Sequence, residues 1–210
     1  MSELGDLFNK YGCDKTRKHQ YDRVYAPVLD TMMNRRINIL EVGVFNGHST
    51  EAFLQYLPMA NMYGLDIFTR TKPQDLNCYT SGRADWIKAS STDPSITREI
   101  RSKWGDIKFD VIIDDGMHTP KANMQTFKHL SPFLAADGVF FIEDVFPLEI
   151  MTTKELQLRW LQEHPERYNH LDNEMFLGTI EKSGMNIKRY DQRKLTNAPD
   201  SYIIELRNAS

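Results

Sequence analysis

The stretch Phe109–His118 (FDVIIDDGMH) ends in two aspartates, a glycine and a histidine immediately after an apolar run. Carboxylates can hold a hard cation or orient hydroxyl groups, and an imidazole can accept a proton near neutral pH. A second acidic pair, Glu143-Asp144, closes the run Val139–Ile142 (VFFI), and single acids follow two other apolar stretches: Glu41 before the turn Gly43–Gly47, and Asp66 after MYGL. Acids in such places either cap and hydrate the edge of a sheet or belong to a site. The elements that carry them must decide between the two.

Strand-like and helix-like stretches alternate from about residue 37. Strands are expected at Ile37–Val42, Met62–Ile67, Trp86–Ala89, Phe109–Ile113 and Val139–Ile142, with helices at Ser49–Leu57, Pro94–Trp104 and Lys121–Ala135. Residues 69–85 have no clean period and read as an irregular loop, and Asp137-Gly138 reads as a turn. Further helices are expected at Glu155–Glu163 and Glu174–Ser183. Asn186–Tyr190 and Tyr202–Leu206 read as a closing antiparallel hairpin at one edge. Apolar strands alternating with helices imply a doubly wound, mostly parallel α/β sheet of about seven strands covered on both faces. Residues 1–36 form an N-terminal helical segment ahead of the main unit, 37–210.

At 210 residues, 40% hydrophobic and 26% charged, the chain has the make-up of a globular protein with a real core. A net charge of −3 gives no electrostatic reason for a nucleic acid or an anionic membrane as partner. No apolar run reaches membrane-span length, and MSELGDLFNK lacks the layout of a signal peptide, so a cytoplasmic protein is expected. Cys13 and Cys78 form no CxxC pair and read as reduced thiols.

Doubly wound sheets bind ligands at the carboxyl ends of their strands, near the point where strand order reverses. That rule gathers Glu41–Gly47, Asp66 and Asp114–His118 at one crevice. A dinucleotide fingerprint would read GxGxxG, but Phe45 stands two residues after Gly43, and Glu41 would repel a phosphate. No GK[ST] follows, which excludes a P-loop. S-adenosylmethionine, adenosyl but without phosphates and positively charged, fits better, with its ribose hydroxyls on Asp66. Ser90 and Ser91 are candidates for the adenine edge.

EVGVFNG, YGLDI, IIDDGMH and FIEDV, in that order, resemble the metal-dependent S-adenosylmethionine O-methyltransferases that modify sugars of macrolide and related antibiotics, the macrocin and mycinose type. Tyr11-Gly-Cys-Asp-Lys15, followed by His19, Tyr21 and Tyr25, is similar to their N-terminal segment. The resemblance covers about residues 7–145. It implies a class I methyltransferase (Rossmann-like) fold of catalytic-domain length, without the auxiliary N-terminal domain of some relatives. It also implies that strands four and five are neighbours, bringing Asp115, Glu143 and Asp144 together as metal ligands. Two bare carboxylates about 4 Å apart repel by roughly 4 kcal/mol at an effective dielectric near 20, so such a cluster needs a cation or a proton. All-oxygen ligation favours Mg²⁺, with Mn²⁺ or Ca²⁺ as alternatives. His118 falls on the family's catalytic histidine, and Met117 replaces the usual serine. Tyr21, Glu41, Gly43, Asn46, Gly47, Ser49 and Asp114 are expected on the cofactor side, Asp114 either facing the cofactor or buttressing its loop.

The expected activity is therefore O-methylation of a hydroxyl on a sugar or glycosylated small molecule, in natural-product biosynthesis; a homo-oligomer would be in keeping with the family. Two other readings are a nicotinamide-dependent oxidoreductase and a non-catalytic adenosyl-ligand-binding protein. Tyr11 and Lys15 have the YxxxK spacing of short-chain dehydrogenases but precede the glycine turn instead of following it. The stretch Thr16–His19 reads as a solvated loop, with His19 at the cofactor entrance at most. The acceptor pocket is expected from residues 145–153, residues 164–178 and the N-terminal helices.

Overall fold

The apolar runs lie side by side at the centre of one sheet in the computed structural model, which describes residues 2–146, 162–163, 165, 169–196 and 198–209. In chain order the elements are α1 (Glu3–Tyr11), α2 (Asp14–Arg17), α3 (Asp22–Leu29), β1 (Asn38–Val42), α4 (His48–Tyr56), β2 (Asn61–Asp66) and β3 (Ala84–Lys88). There follow α5 (Ile96–Trp104), β4 (Phe109–Asp114), α6 (Pro120–Leu130), β5 (Leu134–Ile142), α7 (His170–Glu181), β6 (Asn186–Asp191) and β7 (Tyr202–Arg207). The sheet order is β3-β2-β1-β4-β5-β7-β6. Strands β1 to β5 pair in parallel, while β7 runs antiparallel between β5 and β6. The strand order reverses between β1 and β4, as expected of a doubly wound sheet.

Side chains alternate across a strand, and here the parity is consistent across the middle of the sheet. Ile39, Val111, Ile113, Val139, Phe141 and Ile203 face a core shared with Leu4, Phe8, Tyr25 and Phe53 of the helices on one side. Leu40, Ile112, Phe140, Ile142 and Ile204 face Phe127 of α6 and Phe176 of α7 on the other. The N-terminal helices are thus packed into the same core as the strands. Tyr25 meets Phe141 edge-on at 4.8 Å between ring centroids, a favourable aromatic geometry.

Strand five and the stretch before strand three depart from expectation. Strand five begins at Leu134, not Val139, so Asp137-Gly138 lies within it and the helix before it ends at Leu130. The small and polar residues 135–138 disguise a strand whose pairing with β4 slips between Phe109 and Val111. The irregular loop contains two short 3-10 turns, Pro73–Asp75 and Asn77–Thr80. Of the helix expected at Glu155–Glu163 only residues 162–163 are described, and residues 147–153, 164 and 166–168 of the expected acceptor pocket lie outside the described residues. Both cysteines are free and buried.

Candidate active site

Parity past the strand ends decides where each acid points. The ladder continues beyond the strands, with Asp115 N–H donating to Val42 and Glu143 N–H donating to Asp114. Asp114 therefore turns toward α6, where Asn123 Nδ2 donates to it at 3.0 Å. There it lies on the α6 side of loop 115–118. Burial pushes its carboxyl up to about 6, against the Asn123 hydrogen bond and His118. On the other side the loop is pinned by Thr119, whose hydroxyl caps α6 by accepting from Ala122 N–H.

Asp115 and Glu143 point the opposite way, toward the N-terminal helices, and meet Lys15. Its ammonium lies 2.6 Å from Asp115 Oδ2 and 2.8 and 2.7 Å from the two oxygens of Glu143. Tyr25 donates a further hydrogen bond to Glu143. Burial opposes the charge on Lys15, but the Asp115 and Glu143 carboxylates outweigh it and hold the ammonium well above its ordinary pKa. Burial and then the neighbouring Asp115 charge push the Glu143 carboxyl up, with Lys15 pulling it back.

Asp144 is reached from three directions. Tyr21 donates to its Oδ1 at 2.7 Å, His19 Nδ1 lies 3.5 Å from the same oxygen, and His118 Nε2 lies 3.9 Å from Oδ2. His118 Nε2 is also 3.5 Å from Asp115 Oδ1, whereas its buried Nδ1 has no hydrogen-bond partner among the described residues. Asp115, His118 and Asp144 each offer one ligand atom, all within 4.8 Å of one another. Donors that close together can share a single ion, and two of the three are the hard carboxylates a divalent cation prefers, so the residues fit a metal site. Both His118 and Asp144 adopt left-handed backbone, φ 53° and 52°, which is uncommon for residues that carry a side chain.

A cleft of about 580 Å³ opens in front of these groups at the β1/β4 reversal and runs to Asp66, Phe68, Ser90 and Ser91. Each oxygen of Asp66 takes a backbone N–H, from Phe45 at 3.0 Å and Phe68 at 2.6 Å. Those two donors are themselves left-handed, φ 51° and 45°. They fix the carboxylate at the wall of the cleft while leaving each oxygen a lone pair for a ligand hydroxyl. Ser90 and Ser91 line the same cleft but are bonded to Thr92 and Thr126.

Several expected cofactor-side residues sit behind this surface. Glu41 is fully buried and bound by the hydroxyls of Ser49 and Thr50, with burial raising its pKa. Tyr21 is likewise buried, its hydroxyl spent on Asp144. Asn46 accepts from Thr71 at 3.1 Å. Gly43, by contrast, lines the cleft; it has φ 84°, and a Cβ there would stand 1.9 Å from the carbonyl oxygen of Asp115, so the close approach it permits is between two strand ends. A Cβ on Gly47, φ 74°, would meet Cys78 Sγ at 2.9 Å.

The stretch Thr16–His19 is not the solvated loop expected of it. Thr16 and His19 are buried, and His19, which had no evident neighbours in the sequence, lies 3.0 Å from Ser201 and 4.0 Å from Asp200. Burial lowers its pKa against the pull of Asp144. Lys15, Tyr25 and Asp200 are the site residues that sequence reasoning missed. The first two sit in the N-terminal motif Tyr11–Lys15…Tyr25, which was the available signal; Asp200 carried none.

Residues 40–145, from β1 to just beyond the acids after β5, match the family described as "Methyltransferase domain". The 8-demethyl-8-alpha-L-rhamnosyl tetracenomycin-C 2'-O-methyltransferase of Streptomyces olivaceus is 26% identical over 149 residues, 68% of this chain and 37% of that protein. The L-olivosyl-oleandolide 3-O-methyltransferase of Streptomyces antibioticus is 32% identical over 152 residues, with the same two coverages of 68% and 37%. The chain thus spans little more than a third of the length of these curated relatives. Among solved structures, the MycE methyltransferase from the mycinamycin biosynthetic pathway, in complex with Mg, SAH and mycinamycin VI, superposes with a TM-score of 0.73. That match has 18% identity and covers 99% of this chain and 54% of the other; at this identity the likeness is one of fold. A match that takes in the glycine turn, Asp66, the Asp114–His118 loop and both acids after β5 leaves one assignment: the chain belongs to the methyltransferase-domain family.

Proposed function

We propose that the chain is an S-adenosylmethionine-dependent O-methyltransferase with a divalent-metal site, acting on a sugar hydroxyl of a glycosylated small molecule. The observation that carries this reading is the single cleft joining a ribose-ready carboxylate, Asp66, to the Asp115–His118–Asp144 group. The sugar acceptor rests on the names of the curated relatives, which are sugar O-methyltransferases of antibiotic pathways. Residues 37–210 would form the catalytic unit, with segment 1–36 supplying Lys15, His19, Tyr21 and Tyr25 to the site from outside it.

In this reading Asp66 binds the ribose, and Asp115, Glu143 and Asp144 hold the cation. The Mg²⁺ ion would supply Lewis acidity that makes an alcohol easier to deprotonate. His118 receives the hydroxyl proton at Nε2 as the oxygen–methyl bond forms and the sulfur–methyl bond breaks. Mg²⁺ is matched by oxygen donors more than by imidazole, which leaves His118 free for that task. The convergence of His118 with Asp115 and Asp144 favours a second reading, in which His118 is itself a ligand of a softer ion. Nitrogen coupling in the pulsed EPR spectrum of the Mn²⁺ protein would identify the second.

The test is release of S-adenosylhomocysteine that depends on a glycosylated acceptor, followed by mass spectrometry with EDTA and after adding back Mg²⁺. Turnover lost with EDTA and restored by Mg²⁺ is expected. Full turnover in EDTA would overturn the metal site. Calorimetric binding of S-adenosylhomocysteine without turnover of any acceptor would favour a non-catalytic binding protein.

A further inference from the structure

Lys15 stands out among the groups that the proposed reaction does not use. It is buried, and its ammonium takes Asp115 Oδ2 and both oxygens of Glu143 at 2.6–2.8 Å. Tyr25 adds a hydrogen bond to the same glutamate. These are two of the three carboxylates assigned above to the cation. A divalent ion drawing on Asp115 and Glu143 therefore meets a positive charge already seated on them.

We propose that Lys15 is a built-in counter-cation of the carboxylate cluster, which holds Asp115 and Glu143 in place in the metal-free protein and competes with the divalent ion for them. The inference rests on the metal site of the proposed function. Its physical basis is charge: without the ammonium, adjacent buried acids repel one another, and an arriving Mg²⁺ meets only negative groups. Removing it therefore acts in one direction on two quantities. The metal-free fold weakens and the affinity for metal rises. A lysine that merely filled space would weaken the fold without tightening metal binding.

The test uses the full chain and Mn²⁺ as probe, with affinity read by EPR of the free ion and stability by thermal melting in EDTA. Wild-type protein is titrated first; no Mn²⁺ uptake there would overturn the metal reading itself, before any variant is made. Lys15→Met should then melt at least about 6 °C lower in EDTA, the scale expected for a broken buried ion pair. It should bind Mn²⁺ about tenfold more tightly or better, and Mn²⁺ should restore much of the lost melting temperature. Affinity unchanged or weaker than wild type overturns the inference, as does a variant that fails to fold with and without Mn²⁺ alike. The double variant K15M/E143Q, which removes one charge of each sign, should melt above Lys15→Met in EDTA. A double variant no more stable than Lys15→Met overturns the charge argument.

Discussion

Substituting Gly43 by alanine tests how tightly the ends of β1 and β4 are fitted together. Two costs add. An L-residue at φ 84° is in the left-handed region, which costs about 1–2 kcal/mol. The new Cβ would also lie 1.9 Å from the Asp115 carbonyl oxygen and 2.7 Å from its carbon, both backbone atoms with no rotamer to escape into. Forced overpacking of that kind typically costs about 1–3 kcal/mol more. Gly43→Ala should therefore lose about 2–5 kcal/mol, within the about 5–15 kcal/mol that a domain usually holds, so most of the protein remains folded. Gly82→Ala is the internal control: its φ is 72°, with nothing within 4 Å of the added carbon, so it bears the dihedral cost alone. Urea titrations should place Gly43→Ala about 1–3 kcal/mol below Gly82→Ala. In a chain of this size that difference corresponds to melting temperatures about 2–12 °C apart. Equal losses in the two variants would refute the argument that the strand ends need a glycine for contact.

Asp66→Ala should weaken S-adenosylhomocysteine binding by about 1.5–3 kcal/mol in calorimetry, the worth of charge-assisted hydrogen bonds, and unchanged affinity with an intact fold would remove the ribose assignment. For His118→Ala, general-base catalysis sets the expected loss in kcat at about a hundredfold or more, with cofactor affinity nearly unchanged; a rate within a few-fold of wild type, with chemistry limiting, would leave deprotonation to the metal alone. Burial pushes both the Cys13 and Cys78 thiols up to about 12. Native protein should therefore resist iodoacetamide at pH 8, and rapid alkylation of either thiol without unfolding would contradict their burial. Because the folded-state pKa values are the raised ones, the thiols contribute stability below the ordinary thiol range and lose it as pH climbs toward about 12. Melting temperature should fall across that window, and a flat profile would count against the shift.

The parallel core could be read from the sequence because strands buried on both faces are apolar runs, and Phe109–Ile113 and Val139–Ile142 look like nothing else. The acids at their ends were legible for a topological reason, since such sheets bind at carboxyl ends. What the sequence hid was direction. Whether Asp114 or Asp115 faces the cleft follows from strand parity, and a one-residue difference sends them to opposite faces. The first half of β5 was hidden because Ala135–Gly138 carries the composition of a turn. Lys15 and His19 were hidden for a different reason. Charged residues in a short polar segment look hydrated until their partners are known, and those partners are 100 and 182 residues away.

That separation governs when the site can exist during synthesis. Lys15 and Glu143 are 128 positions apart, Tyr21 reaches Asp200 across 179, and His19 reaches Ser201 across 182. Tyr21 and His19 are therefore made long before Asp200 and Ser201, and these contacts wait until that later stretch exists. β7 must also slot between β5 and β6, although it is made after both. Contacts of such long range are closed late and slowly, because the intervening chain has to be ordered first. A nascent chain stalled before Asp200 could pair strands β1 to β5 but would leave Tyr21 and His19 without their C-terminal partners. The acids, Lys15 and His118 are all in hand once Asp144 is made, whereas the contacts of Tyr21 and His19 with Asp200 and Ser201 close later.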